Sequence, residues 1–319
     1  MRTVPKRLLL LAALWCGPGC GPSDARDSTA TPSDSISTLL QQELERVRVD
    51  LQDLSVQFEL LNYPYVPDTV RFCLERVPLE EWWVAQRLEE TLASFTRVRA
   101  NRQRIDAYLR EAPFYFPYID SMTAARGLPR DLRYIPVVES EFRSTARSRA
   151  KAVGMWQFIR SAGRRERLTM SAHVDERRDF ERSTDAALQK LAREHGRFGD
   201  WFLTVAAYNA GVNRIGGAME RQGDSSYFNL ILPAETMDYV YKLIAVKLIM
   251  EHPERYAFSR RGARVIEFEV VRHSVKRATT VTALARSFGV PALEFKLLNP
   301  QFVTDAVPPG TYQLKVPRR

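Results

Sequence analysis

Cysteine, histidine and long apolar runs are all scarce in this 319-residue sequence. Three cysteines, Cys16 and Cys20 close together and Cys73 alone far downstream, give no disulfide framework. Four scattered histidines show no zinc-ligand spacing, so neither a metal nor any other cofactor is expected. A Gly-rich phosphate loop and a Gly-x-Ser-x-Gly elbow are both missing, which disfavours nucleotide and serine-hydrolase chemistry. The apolar run Leu8 to Trp15 is far short of the about 20 residues a membrane-spanning helix needs. Lys and Arg outnumber Asp and Glu by 47 to 38, a net charge of +9, yet they form no aromatic-studded basic stripe. Nucleic acid is thereby disfavoured as a partner, and the charge suits anionic lipid or a carboxylate-bearing polymer.

What is present is a folded chain, 45% apolar and 27% charged. Arg2, Lys6 and Arg7 before Leu8 to Trp15 make an export signal over residues 1–20. Its end resembles a bacterial lipobox, with Cys20 after Gly17-Pro18-Gly19 as the lipid anchor in preference to Cys16, which follows the bulky Trp15. A soluble secreted form is the alternative. Residues 21–37, rich in Ser, Thr, Asp, Pro and Gly, read as a disordered tether. Leu40, Leu44, Val47, Leu51, Leu54, Phe58 and Leu61 then line one face of an amphipathic helix over 38–64. That face either docks on the body of the protein or self-associates as a coiled coil.

Residues 65–258 keep a helical grammar, with breaks predicted at Pro78, Gly127-Leu128-Pro129, Gly196, Gly199 and Gly223 and no convincing strand. The pattern changes after Pro253. Val265 to Val271 and Thr311 to Val316 have strand composition, and two short helices surround Ser287-Phe-Gly-Val290, so residues 265–317 predict a small β-α-α-β module.

Four clusters could carry chemistry. In Gly127-Leu-Pro-Arg-Asp-Leu-Arg-Tyr-Ile-Pro-Val-Val-Glu-Ser-Glu-Phe142 an apolar segment delivers Glu139, whose desolvated carboxyl would have a raised pKa. Taken alone, Glu139 reads sooner as a surface or salt-bridged glutamate at the end of a core helix. Ser148-Arg-Ala-Lys-Ala-Val-Gly-Met-Trp-Gln-Phe158 combines a glycine suited to close backbone approach with the amide of Gln157. Val205-Ala-Ala-Tyr-Asn-Ala-Gly211 presents Tyr208 and Asn209 from a tightly packing segment, and Leu232-Pro-Ala-Glu-Thr-Met-Asp-Tyr-Val-Tyr-Lys242 starts a helix carrying Tyr239.

In this order the clusters resemble the Glu-Ser, Gly-x-x-Gln, Ala-Tyr-Asn-x-Gly and Glu-Thr-x-x-Tyr-Val motifs of the lysozyme-like soluble lytic transglycosylase family, from about Val66 to Pro253. Val174-Asp-Glu-Arg-Arg-Asp-Phe180 and Phe198-Gly-Asp-Trp201 strengthen the likeness. Lys151 stands where that family often has glycine, and Phe180 where it has proline. The resemblance implies a mainly α fold: a lysozyme-like helical domain with a long N-terminal helix and a small C-terminal α+β module. It implies a carbon-oxygen lyase acting on peptidoglycan glycan strands, without cofactor or metal. Glu139 would be its catalytic acid and then base, with Ser140 and Tyr239 orienting the acid and the acetamido group. Gln157, Tyr208 and Asn209 would line the glycan cleft.

Two rivals remain. A muramidase-type hydrolase on the same fold would need Asp175, Glu176 or Asp179 to hold a water opposite Glu139, although alternating charges in that run can satisfy one another. A peptidoglycan-binding lipoprotein without catalysis would not need Glu139. Residues 271–317 weakly resemble a LysM glycan-binding module through Val281 to Phe288, Leu298-Asn-Pro300 and Pro308 to Pro317, against the alternative of a structural cap. The expected location is the periplasm, anchored to the outer membrane by lipid, or free in the periplasm.

Overall fold

The structure, a computed structural model, describes residues 39–52, 54, 64–259 and 267–318. The export signal, the anchor Cys20, the tether, residues 38, 53 and 55–63 of the predicted amphipathic helix, and residues 265 and 266 of the predicted C-terminal module lie outside them. The chain forms two units, Met1–Asp53 and Leu54–Arg319. In the first, residues 39–52 are helical (α1), with Leu40, Leu44, Val47 and Leu51 exposed along it.

The second unit is mainly helical, as expected. Among its described residues a hairpin of two-residue strands, β1 (Arg71–Phe72) against β2 (Glu75–Arg76), precedes the helices, and the sequence did not predict it. The reversal needs Cys73 and Leu74 at positive φ, in residues with no turn signature. There follow α2 (Trp82–Arg97), α3 (Arg99–Ala124), α4 (Ile135–Ser140), α5 (Arg160–Arg165), α6 (Phe180–Phe198), α7 (Trp201–Ala210), α8 (Val212–Gln222) and α9 (Ala234–Glu251). Gly196 does not break α6. The helix continues to Phe198 and ends at Gly199 in the left-handed conformation, whose N–H reaches back to the His195 carbonyl.

α9 is the axis of the packing. Its run Val240-Tyr-Lys-Leu-Ile-Ala-Val-Lys-Leu-Ile-Met250 is apolar nearly all round, so it buries almost every side instead of one stripe. α2 lays Val84, Leu88 and Leu92, four residues apart, into the same core. The first seven residues of α7 are all buried, and Asp200 caps that helix by accepting from the Leu203 N–H at 2.6 Å. α3 runs unbroken through Pro113 and Pro117. Each removes a helical hydrogen bond, and Tyr115 and Phe116 offset that loss by packing rings against Phe142, Phe180 and Tyr134.

Residues 267–318 contain β3 (Phe268–Val275), β4 (Thr279–Thr280), α10 (Val281–Ser287), α11 (Ala292–Leu298), β5 (Ala306–Val307) and β6 (Gly310–Pro317). β3 pairs antiparallel with β6 and β4 with β5. β3 extends to Val275, four residues past the predicted end, because its partner β6 supplies backbone groups down to Gly310. A separate apolar core built on Leu284, Phe295, Phe302 and Leu314 holds this module together, and it takes in Val174 from the helical body.

Candidate active site

Six residues are enough for α4 because the flanking packing, more than propensity, stabilises it. Ile135, Pro136 and Val137 are buried. Its C-terminal cap Glu141 is left-handed at φ 57° and Phe142 follows at φ 62°, a reversal that leaves Glu139 in the last turn. Left-handed backbone at two successive residues that are not glycine costs on the order of 1–3 kcal/mol each. The buried, ring-stacked Phe142 side chain holds the turn in place.

Glu139 is half-buried. Its Oε1 accepts a 2.8 Å hydrogen bond from the Tyr239 hydroxyl on α9. Burial pushes its carboxyl up to about 7; Glu235, one turn before Tyr239, adds to the rise, while the Tyr239 bond and Lys190 oppose it. Burial and the neighbouring Glu139 carboxyl push Tyr239 well above the ordinary tyrosine value, so it keeps its proton and remains the donor. The result is an acid group near its midpoint at neutral pH beside a fixed hydroxyl, the state required of a group that both gives and takes a proton.

The Gly154-x-x-Gln157 turn lies beside α4. Ser140, 2% exposed, does not turn towards the Glu139 carboxyl: its hydroxyl donates to the Met155 carbonyl at 2.8 Å and tethers this turn to the helix bearing the acid. Tyr208 on α7 donates to the next carbonyl, Trp156, at 2.7 Å. Gln157, at φ 50°, folds its amide back to donate to the Gly154 carbonyl at 2.7 Å. Asn209 accepts from the Thr236 hydroxyl at 3.0 Å, linking the end of α7 to the start of α9. The four sequence clusters are therefore joined in a ring by named hydrogen bonds, first to second, second to third, third to fourth and fourth back to first. Glu139 and Tyr239 face each other directly, whereas Ser140, Gln157, Tyr208 and Asn209 reach the site through backbone and neighbouring side chains.

The Asp175 to Asp179 run is spent on its own structure. Asp175 takes both forks of Arg177, at 2.9 and 2.7 Å. Glu176 accepts from the Thr169 N–H at 2.7 Å and pairs with Arg182. Asp179 caps α6 by accepting from the Arg182 N–H. Two groups near the acid went unpredicted. Glu235 was visible in the fourth cluster, but only the fold brings its charge to Glu139. Lys190 lies on α6, paired with Glu194 at 2.9 Å and 4.1 Å above the Tyr208 ring, and no local pattern marks it. Among the described residues no group of three or more His, Cys, Asp or Glu is placed to hold a metal ion, and no helix is long and apolar enough to cross a membrane.

Residues 117–231 match the family model described as the Transglycosylase SLT domain. Over 187 residues the chain is 35% identical to membrane-bound lytic murein transglycosylase D of Escherichia coli (strain K12), a match covering 54% of this chain and 41% of that protein. The protein of the same name from Escherichia coli O6:H1 matches at the same identity and coverage. The chain thus spans about two fifths of the length of these curated relatives. The X-ray structure of the lytic transglycosylase Slt from Pseudomonas aeruginosa aligns with 21% identity and a TM-score of 0.35, over 56% of this chain and 33% of that one, a likeness too remote to weigh. The region that matches the Transglycosylase SLT domain contains Glu139, Ser140, Gln157, Tyr208 and Asn209, with Tyr239 just beyond its end.

Proposed function

We propose that this protein is a lytic transglycosylase of peptidoglycan, cleaving the β-1,4 bond between N-acetylmuramic acid and N-acetylglucosamine with Glu139 as its one catalytic acid and base. The observation that carries this reading is the pairing of Glu139, pushed up to about 7 and lying in the region that matches the Transglycosylase SLT domain, with the fixed Tyr239 hydroxyl just beyond that region. The protonated form gives its proton to the glycosidic oxygen as the bond to the anomeric carbon breaks. The substrate's acetamido group stabilises the resulting cation. The Glu139 carboxylate then removes the proton of the muramoyl C6 hydroxyl, whose oxygen closes a 1,6-anhydro ring, so no water is consumed and the acid is regenerated. Tyr239 steadies the carboxylate in the second half of this cycle.

A hydrolase needs a second carboxylate to activate water. Asp175, Glu176 and Asp179 are each occupied by local partners, which weighs against that role for them. Glu235, exposed and one turn from Tyr239, is the carboxylate to test instead. Digestion of purified sacculi followed by mass measurement of the muropeptides decides the matter. Anhydro ends that vanish in Glu139→Gln are expected. Reducing ends that vanish in Glu235→Gln would replace this reading with hydrolysis.

The finer assignments belong to the same proposal: Gln157, Tyr208 and Asn209 as the glycan-facing rim, residues 1–20 as an export signal, and Cys20 as a lipid anchor to the outer membrane facing the periplasm. Residues 65–258 would be the catalytic domain and 265–317 a LysM-like module. The relatives' printed name, membrane-bound, agrees with an anchored form. Radiolabelled palmitate incorporated into the full chain and lost in Cys20→Ser tests the anchor.

A further inference from the structure

The C-terminal module is joined to the segment 171–181, and that segment is joined to the Gly154–Gln157 turn. On the module side, Val174 pairs with Phe302 in an isolated antiparallel bridge and is buried in the module's own core. Asp175 donates its N–H to the Gln301 carbonyl at 2.8 Å, and Val303 donates its N–H to the His173 carbonyl at 2.7 Å. Lys315 of β6 and Glu181 of α6 form an ion pair with both side chains almost wholly buried. These are not the contacts of a module swinging on a linker.

On the other side stands Arg177, 6% exposed. Its Nε and Nη2 hold Asp175, while Nη1 donates to the Phe158 carbonyl at 3.1 Å and the Lys151 carbonyl at 3.4 Å. One guanidinium therefore grips both ends of the turn. The Arg177 carbonyl also presses on Gly154 so closely that a Cβ there would fall 1.7 Å from the oxygen. The same turn is also held by Ser140 at Met155 and by Tyr208 at Trp156.

We propose that the module is a working part of the catalytic body, acting through this strap, with Arg177 as a positioning residue that fixes the Gly154–Gln157 turn and, through Met155, the helix end carrying Glu139. This rests on the transglycosylase reading above. It assigns the module an effect on turnover, separate from any glycan affinity it has. Misplacing a reacting group by about 1 Å costs on the order of 10²-fold in rate, and a turn released on one side shifts by a fraction of that. A fall in kcat on the order of 10-fold is expected.

The test uses the full chain and sacculi, reading kcat and KM from release of soluble muropeptides, affinity from co-sedimentation, and fold from thermal unfolding. Three variants are compared: Arg177→Lys, which keeps the charge but lacks the fork; Asp175→Asn with Arg177→Met, which removes both buried charges together; and Glu181→Gln with Lys315→Met, which loosens the module seam. Each is expected to lower kcat with KM and co-sedimentation changed by less than about two-fold. Combining the seam pair with Arg177→Lys should lower kcat by less than the product of the separate effects. If folded Arg177→Lys keeps wild-type kcat, the positioning role is refuted. If the seam variants alter only KM and sedimentation, the module acts by holding substrate and the proposal fails. Should a charge-removing pair not fold, Arg177→Lys still decides. Wild-type activity that survives Glu139→Gln would instead overturn the transglycosylase reading itself.

Discussion

Replacing Glu139 by glutamine isolates what ionising a carboxyl costs in this site. The ordinary value is 4.5 and burial carries it to about 7 in the folded protein. Between those limits the unfolded chain has released its proton while the folded chain retains it. A raised carboxyl therefore contributes stability that is fully present below pH 4.5 and is lost as pH rises through about 7. The interval is worth about 3 kcal/mol. Glutamine keeps the shape and still accepts from the Tyr239 hydroxyl, but it does not titrate. The difference in unfolding free energy, variant minus wild type, should thus be near zero at pH 4 and climb to about 3 kcal/mol in favour of the variant by pH 8. Every other titrating group is common to both proteins and cancels. Urea denaturation of the two proteins at half-unit pH steps reads this difference directly. Parallel stability curves across the whole range would refute a desolvated Glu139, and with it the physical basis for its proton transfer. The same variant should lose activity by about 10²–10⁴-fold, so stability and activity would move in opposite directions.

Tyr239→Phe removes the bond that favours the carboxylate, so the pKa of Glu139 should rise further. The alkaline limb of the pH–rate profile should move to higher pH while kcat at neutral pH falls on the order of 10-fold; an unmoved limb would exclude the contact from the working state. Lys151 sits exposed at φ 61°. Relief of left-handed strain exceeds the entropy that glycine brings to the unfolded chain, so Lys151→Gly should stabilise the protein by up to about 1 kcal/mol in thermal unfolding. Gly154→Ala meets both a φ of 88° and the Arg177 carbonyl, and should cost more than about 3 kcal/mol, seen as loss of cooperative unfolding or of soluble protein.

The helical order of the body was legible because buried stripes at spacings of three and four recur from α2 to α9. So was the change of grammar after Pro253, since β-branched residues concentrate in β3 and β6. Gly196 was misread as a stop. A glycine inside a helix weakens it without ending it, and of the two glycines near the end of α6 it is Gly199 that combines left-handed backbone with a returned hydrogen bond. The β1–β2 hairpin lay beyond sequence reasoning, because burial of Phe72 and Cys73 against the body imposes a turn that their types do not favour. At the site, Glu139 was identifiable only by its company of motifs. Its pairing with Tyr239 spans 100 positions, and only the packing of α4 on α9 brings the two together. Lys151 shows the opposite case: the glycine usual at that position in the family it resembles reads as arbitrary until φ is known, and then as a conformational requirement.

Val174 carries a consequence for how the chain reaches its final form. Its side chain and the two backbone groups around it are satisfied by residues from Gln301 to Val303, synthesised well over a hundred positions later. While the chain is being made, the helical body can gather around α9 with this edge still open, presenting an apolar residue and free hydrogen-bonding groups. Closing it is then a late, long-range step of high loop-closure entropy. Until that step is taken the Asp175–Arg177 segment lacks its module-side anchors, so alignment of the Glu139 site would await residues 267–318, and chains cut short before them would be left with the acid in place but poorly aimed.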